Sequence, residues 1–157
     1  MDTVTYPQDS VVAEVERHFV PVKLESARHG ELSRRINVRW LPGLVVTDAD
    51  GRPAHVSIGF LPPPDLLVEL TFGRAISAMG QKRYDEAHAL FQEVATDPAR
   101  ERAPEALFWW GISRYRQLKD FATAVKEPWS RIVEGWPRSQ WARKVAYALG
   151  KPDLSRG

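Results

Sequence analysis

The sequence has 157 residues, with 22 lysines and arginines, 20 aspartates and glutamates, and no cysteine. This length allows one compact unit or a domain with an appendage, and it excludes two large domains. The interspersed and nearly balanced charge gives no long-range attraction to nucleic acid or anionic membrane. The absence of cysteine excludes disulfides and thiol catalysis by these residues.

The N-terminal residues, MDTVTYPQDS, lack the basic and apolar regions of a signal peptide. No apolar run is long enough to cross a bilayer, so we expect a cytoplasmic protein with neither a membrane nor a nucleic-acid partner. Apolar residues at helical spacing predict a first helix over residues 9–18. The segment Phe19 to Leu24 then indicates a strand, although Pro21 cannot donate to a ladder and favours an edge or an irregular entry. A brief helix is expected over residues 31–35.

A β-hairpin is predicted within residues 38–59, VRWLPGLVVTDADGRPAHVSIG. Two runs rich in β-branched residues flank Asp48–Gly51, whose aspartates and glycine suit a tight turn. In the second run, His55 and Ser57 alternate with apolar residues. We therefore predict that the second strand is exposed to water on the face that carries His55 and Ser57.

Helices are predicted for the rest of the chain. The prolines before Asp65 mark the start of a helix that ends near Met79, with Gly80 as its stop. Further amphipathic patterns follow over residues 84–94 and 104–115. The second of these is apolar nearly all round, so we expect neighbouring elements to cover it on more than one side.

The last two helices are predicted over residues 121–136 and after Ser139. Pro128 lies in the middle of the first of them, so we expect an interruption there, because proline removes a helical hydrogen bond. Ser139 is a favourable N-cap for the final helix.

Residues 66–157 resemble the tetratricopeptide repeat family. The pattern is a succession of small and large apolar residues, repeated once at offsets of roughly 36 to 39 residues instead of the family's 34. Its first copy comprises Ala75, Ala78, Tyr84, Ala87, Phe91, Val94 and Pro98, and its second comprises Gly111, Ala124, Trp129, Ile132 and Pro137. The resemblance implies about two degenerate repeats, which rarely stand alone and should dock on the first half.

Residues 1–80 resemble the thioredoxin superfamily downstream of its active site. The shared features are a helix, the strand FVPVKL, the short helix ELSRR, the segment Val38 to Pro42, and then a hairpin with a DADG turn and a helix. The resemblance implies that the Leu41–Pro42 peptide is cis. The predicted fold class is α/β. A partial thioredoxin-like sheet with a hairpin is followed by an all-α tetratricopeptide-like bundle, and the two predicted domains share the helix from residue 66.

The departure from that family lies at the N-terminus. Family members begin with a central strand and a C-x-x-C motif, whereas Met1 to Pro7 resembles the segment that trails the motif. One alternative is a cysteine-less remnant, and the other is a start codon assigned inside a longer reading frame. The first alternative predicts that the incomplete sheet rearranges or borrows a strand from a partner, which includes homo-oligomer formation.

Two groups of residues are candidates for peptide binding, and each also has a structural interpretation. Trp40, Leu41 and Pro42 correspond to the family's substrate-contacting proline loop, or else simply order the sheet. On the predicted helix 104–115, two tryptophans and a nearby arginine are candidates for an aromatic groove, although core packing between helices explains the tryptophans better, because they lie within an apolar helical stretch. These residues are Trp109, Trp110 and Arg114.

No catalytic, metal-binding or cofactor-binding constellation is recognised. The four histidines are scattered without ligand spacing, and no nucleophile elbow or phosphate loop is present. The sequence therefore favours a non-catalytic thioredoxin-like protein that binds an unidentified protein or peptide. The alternative is a thiol–disulfide oxidoreductase whose C-x-x-C motif lies upstream of Met1.

Overall fold

A computed structural model describes residues 1–97 and 101–151. The chain is mixed α/β and mostly helical, as the sequence predicted at this coarse level. No helix within the described ranges combines the length and the apolar character needed to cross a bilayer. In chain order the elements are α1 (Asp9–His18), α2 (Gly30–Arg35), β1 (Gly43–Thr47), β2 (Pro53–Ile58), α3 (Pro63–Gly80), α4 (Tyr84–Val94), α5 (Ala103–Leu118), α6 (Phe121–Gly135), α7 (Gln140–Ala146) and a 3-10 turn (Tyr147–Leu149).

The chain divides into two compact units within α3. The N-terminal unit comprises Met1–Gly73, and the C-terminal unit begins at Arg74. The division falls inside the segment that both predicted domains share. Pro98, which belongs to the tetratricopeptide-like pattern, lies outside the described residues.

The predicted hairpin is confirmed. β1 and β2 pair antiparallel, with Val46 opposite His55 and Leu44 opposite Ser57. The Asp48 carboxylate accepts hydrogen bonds from the backbone N–H of Asp50 at 3.0 Å and of Arg52 at 2.9 Å. Gly51 has a φ of 74°, a left-handed conformation that glycine adopts without a steric cost. The turn residues therefore determine the hairpin locally, as the DADG sequence indicated.

The prediction that the His55 face of β2 meets water was wrong. His55 lies opposite Val46, so both side chains are on one face of the sheet, and Val46 is 4% exposed. This face packs closely on α3. The backbone of Gly73 in α3 lies so near to Val46 that an added Cβ atom would be only 2.6 Å from Val46 Cγ2. His55 tolerates the burial because its Nε2 lies 2.5 Å from Glu69 Oε2 on α3. A hydrogen-bonded partner offsets much of the cost of burying a polar ring.

The predicted strand Phe19–Leu24 is also wrong. The sheet of the described residues contains β1 and β2 alone, and this segment has no regular structure. A strand needs a neighbour to complete its ladder, and no described strand lies beside this one. Val20 is 90% exposed and Val22 is 73% exposed, so this segment is open to solvent.

The core of the N-terminal unit lies between α1, the hairpin and α3. Its buried members are Val11, Val46, Leu66 and Leu70. Thr5 is fully buried, and its hydroxyl donates to the Leu61 carbonyl at 2.7 Å. This bond ties the N-terminal segment to the residues that precede α3.

Helix α5 is the centre of the C-terminal unit, where α4, α6 and α7 all contact it. This confirms that neighbours cover its apolar sides. A Cβ on Gly111 of α5 would lie 2.5 Å from Trp129 Nε1, so the ring of α6 rests directly on the backbone of α5.

The expected interruption of α6 at Pro128 is wrong, because the helix is continuous from Phe121 to Gly135. Pro128 is fully buried, and tertiary packing offsets the hydrogen bond that proline removes. The predicted cap of α7 is confirmed, since the Ser139 hydroxyl accepts from the backbone N–H of Ala142 at 3.0 Å.

Candidate functional site

The six predicted site residues fall into two sets, three in each unit. Trp40, Leu41 and Pro42 lie in the loop between α2 and β1, where the Leu41–Pro42 peptide is cis, as the resemblance implied. Trp40 is 73% exposed and Leu41 is 56% exposed. The loop therefore presents two large apolar side chains to solvent in consecutive positions.

These side chains border an open groove of about 420 Å³, which we call the Trp40 groove. Its walls combine apolar side chains with two hydroxyls and one guanidinium. The lining residues are Ser26, Ser33, Val38, Arg39, Trp40 and Leu41.

Local packing and hydrogen bonds position this loop. A Cβ on Gly43 would lie 2.6 Å from Val38 Cγ1, so Val38 covers the first residue of β1 and requires glycine there. The Pro42 carbonyl accepts from the backbone N–H of Gly59 at 2.8 Å, which extends the hairpin pairing by one step. Arg39 Nε donates to Asn37 Oδ1 at 2.8 Å and orients the guanidinium beside the groove.

The second set lies on α5, and Trp110 belongs to the core of the C-terminal unit. This residue is 3% exposed, and its Nε1 donates to His88 Nε2 at 3.2 Å. The Arg131 guanidinium lies 5.4 Å from the centroid of the same ring. Core packing, the structural interpretation of this tryptophan, agrees with its position.

Trp109 and Arg114 are partly accessible. The Trp109 ring meets Phe108 edge to face at a centroid distance of 5.5 Å. Arg114 Nη1 donates to Glu127 Oε2 at 3.2 Å. Arg114 also lines a groove of about 430 Å³ together with polar and charged residues of α6, which are Thr123, Lys126, Glu127, Ser130, Arg131 and Glu134.

The surroundings of Trp110 also change the pKa of His88. Burial lowers the pKa of its ring, and the positive charge of Arg114 lowers it further. Because Nε2 accepts from Trp110, the neutral ring carries its proton on Nδ1, which is buried without a hydrogen-bond partner in the described structure. The site thus favours a neutral imidazole at neutral pH.

Within residues 1–97 and 101–151, no group of three or more histidines and carboxylates is arranged to hold a metal ion. The His55–Glu69 pair supplies two such groups, each only 10% exposed. With no cysteine in the chain, the Trp40 groove has no thiol of its own. The lining of the groove offers apolar contacts, two hydroxyls and one guanidinium.

Sequence reasoning missed most of the groove lining. Ser26 and Ser33 come from two separate local segments, and no spacing in the sequence links them to the proline loop. Val38 and Arg39 carried a usable signal, because they directly precede Trp40 in the segment that was singled out. Comparison of the chain with models of known protein families, with curated proteins and with solved structures returned no match.

Proposed function

We propose that the chain is a non-catalytic, thioredoxin-like protein-interaction module that binds an extended, apolar peptide segment in the Trp40 groove. The observation that carries the proposal is the exposure of Trp40 and Leu41 at the edge of a groove. Burial of apolar surface contributes about 25 cal/mol per Å², so a ligand that covers both side chains gains free energy. Tryptophan is also enriched among the residues that dominate binding energy at interfaces.

The lining indicates the chemistry of the ligand. Val38, Trp40 and Leu41 favour apolar side chains, whereas the hydroxyls of Ser26 and Ser33 suit hydrogen bonds to a peptide backbone. A peptide in extended conformation presents side chains and backbone groups in alternation, which matches this mixed lining. Arg39 adds a preference for a carbonyl or carboxylate acceptor.

The helical part of the chain enters the proposal as a tetratricopeptide-like scaffold. Consecutive packing of α4 on α5, of α5 on α6 and of α6 on α7 supports this assignment. The partly accessible pair Trp109 and Arg114 forms a secondary candidate surface. A cytoplasmic location remains part of the proposal.

The test is selection from a display library of unstructured ten-residue peptides on the purified chain. Selected peptides should be apolar, and their affinity should fall at least tenfold for the Trp40→Ala chain. Tyr147→Ala is the matched control, because Tyr147 is an aromatic residue of the C-terminal unit that is 83% exposed. Equal affinity for the wild-type and Trp40→Ala chains would remove the groove from the proposal.

The alternative proposal, a thiol–disulfide oxidoreductase, requires cysteines that this chain does not supply. It predicts an in-frame strand and C-x-x-C motif in the DNA upstream of Met1. A stop codon immediately upstream would exclude it.

A further inference from the structure

The segment that forms the Trp40 groove is rich in arginine. Residues 26–41 supply all of the lining, and they contain four arginines and one glutamate. The other residues of Met1–Gly73 contain three basic and nine acidic side chains. One of the four arginines, Arg28, is paired within the chain, because its Nε lies 3.1 Å from Glu25 Oε2. The positive charge of an otherwise acidic unit is therefore concentrated at the groove.

The other three arginines, which we call the arginine cluster, are Arg34, Arg35 and Arg39. All three are exposed, and within the described residues no carboxylate lies at ion-pair distance from any of them. Arg39 lines the groove itself. Arg34 directly follows the lining residue Ser33, so their Cα atoms are about 3.8 Å apart. The charge of the cluster is thus available to a ligand in the groove.

Exposed apolar side chains occur at the other end of the same loop. Gly43, which follows the cis-proline, pairs with Ile58 across the hairpin. Ile58 and Phe60 are exposed, as Trp40 and Leu41 are. The proline loop therefore has positive charge before it in the chain and apolar surface at it and after it.

Building on the proposed peptide binding in the Trp40 groove, we propose that the ligand is an acidic peptide segment, in which aspartates or glutamates flank an apolar core. The apolar core covers Trp40 and Leu41, and the carboxylates meet the arginine cluster. Guanidinium groups form charge-assisted and often bidentate hydrogen bonds with carboxylates, and these are stronger than neutral ones. A neutral peptide lacks this attraction, and a basic peptide is repelled.

The distribution of charge favours a peptide over a nucleic acid. Proteins that bind single-stranded nucleic acid carry positive charge along a groove that follows the phosphate backbone. In this unit the excess of basic side chains is confined to residues 26–41, and the remaining residues are predominantly acidic. A polyanion longer than the cluster would be repelled by those acidic side chains, whereas a short acidic peptide matches the cluster in extent.

Fluorescence anisotropy of labelled ten-residue peptides with the full chain tests the preference. The probes share a central run of four apolar residues, and their flanks are glutamate, glutamine or lysine. At about 0.1 M salt, the glutamate probe should bind at least fivefold more tightly than the glutamine probe, and the lysine probe should bind most weakly. At about 1 M salt the Debye length falls to about 3 Å, so this advantage should largely disappear. Equal affinity of the glutamate and glutamine probes at low salt would overturn the proposal.

A charge reversal locates the preference on the chain. Arg34→Glu should lower the ratio of glutamate-probe to glutamine-probe affinity at least threefold. Arg17→Glu is the matched control, because Arg17 is also an exposed arginine in the last turn of a helix and lies outside residues 26–41. Circular dichroism establishes that both variants are folded. A ratio that falls equally in the two variants, or in neither, would contradict a role for the arginine cluster.

Two further measurements separate this inference from the proposed function and from nucleic-acid binding. Trp40→Ala should weaken the glutamate and glutamine probes by the same factor. If the glutamine probe does not depend on Trp40, or if no probe binds, the groove itself is removed and this inference with it. If that dependence holds but the flanks make no difference, the acidic preference alone is wrong. A ten-nucleotide single-stranded DNA should bind more weakly than the glutamate probe, and tighter binding that Arg34→Glu abolishes would replace the peptide with a nucleic acid.

Discussion

The two units of the chain differ in how many of their large apolar side chains are exposed. Of the thirteen such side chains that are exposed among the described residues, ten belong to Met1–Gly73, and only Leu118, Phe121 and Tyr147 belong to the unit that begins at Arg74. The C-terminal unit surrounds α5 with three helices, whereas the N-terminal unit has a two-stranded sheet and an unpaired segment. The exposed apolar side chains of the N-terminal unit are the reason that the binding surface is proposed there.

The largest difference in stability loss is expected between a buried leucine of the C-terminal unit and an exposed leucine of the N-terminal unit. Leu107 on α5 is fully buried, so Leu107→Ala should lower the free energy of unfolding by about 2 to 5 kcal/mol through lost contacts and a cavity. Leu24→Ala, at a site 47% exposed, should change it by less than about 0.5 kcal/mol. Urea unfolding followed by circular dichroism measures both. Similar losses would mean that the exposed segment contributes to the fold.

The next comparison concerns one glycine in each unit whose backbone lies directly against a neighbouring side chain. Gly111→Ala would direct a methyl group onto the Trp129 ring, which stacks on Phe108, and Gly73→Ala would direct one onto Val46. Neither neighbour is the end of a flexible chain, so each variant should lose about 1 to 3 kcal/mol of stability. If Gly73→Ala alone is tolerated, the hairpin is packed less rigidly than the helices.

A smaller, pH-dependent effect is expected at His88 in the C-terminal unit. Burial and Arg114 lower its folded-state pKa below 6.5, so the unfolded chain takes up the proton first as the pH falls. Stability should therefore decline below pH 6.5 until the folded-state pKa is also passed. Urea midpoints for the wild type and His88→Gln should diverge in this window. Urea midpoints that change in parallel with pH in the two chains would contradict a lowered pKa for His88 in the folded state.

The features that the sequence predicted well are set by neighbouring residues. Asp48 and Gly51 form the turn within a few residues of each other. The Ser139 hydroxyl accepts a hydrogen bond from the backbone N–H of Ala142, only three residues later. The coarse α/β class and the helical periodicity of α4 and α5 follow from similarly local patterns. The thioredoxin-like and tetratricopeptide-like assignments remain predictions.

The features that the sequence did not reveal depend on distant partners. The burial of His55 depends on Glu69, fourteen residues later, and alternation alone treats a histidine as a surface residue. The strand predicted at Phe19–Leu24 needed a neighbour that the described sheet does not supply. The apolar pattern of α5 indicated a core position for Trp110, but no spacing in the sequence relates this residue to its partners His88 and Arg131.

Paired measurements on one variant test most directly whether Trp40 serves binding and not folding, as proposed. For Trp40→Ala, the free energy of unfolding should stay within about 0.5 kcal/mol of the wild type, because the side chain is 73% exposed. In the same preparation, affinity for the library-selected peptides should fall at least tenfold. A loss of stability above about 2 kcal/mol, or unchanged peptide affinity, would contradict the account.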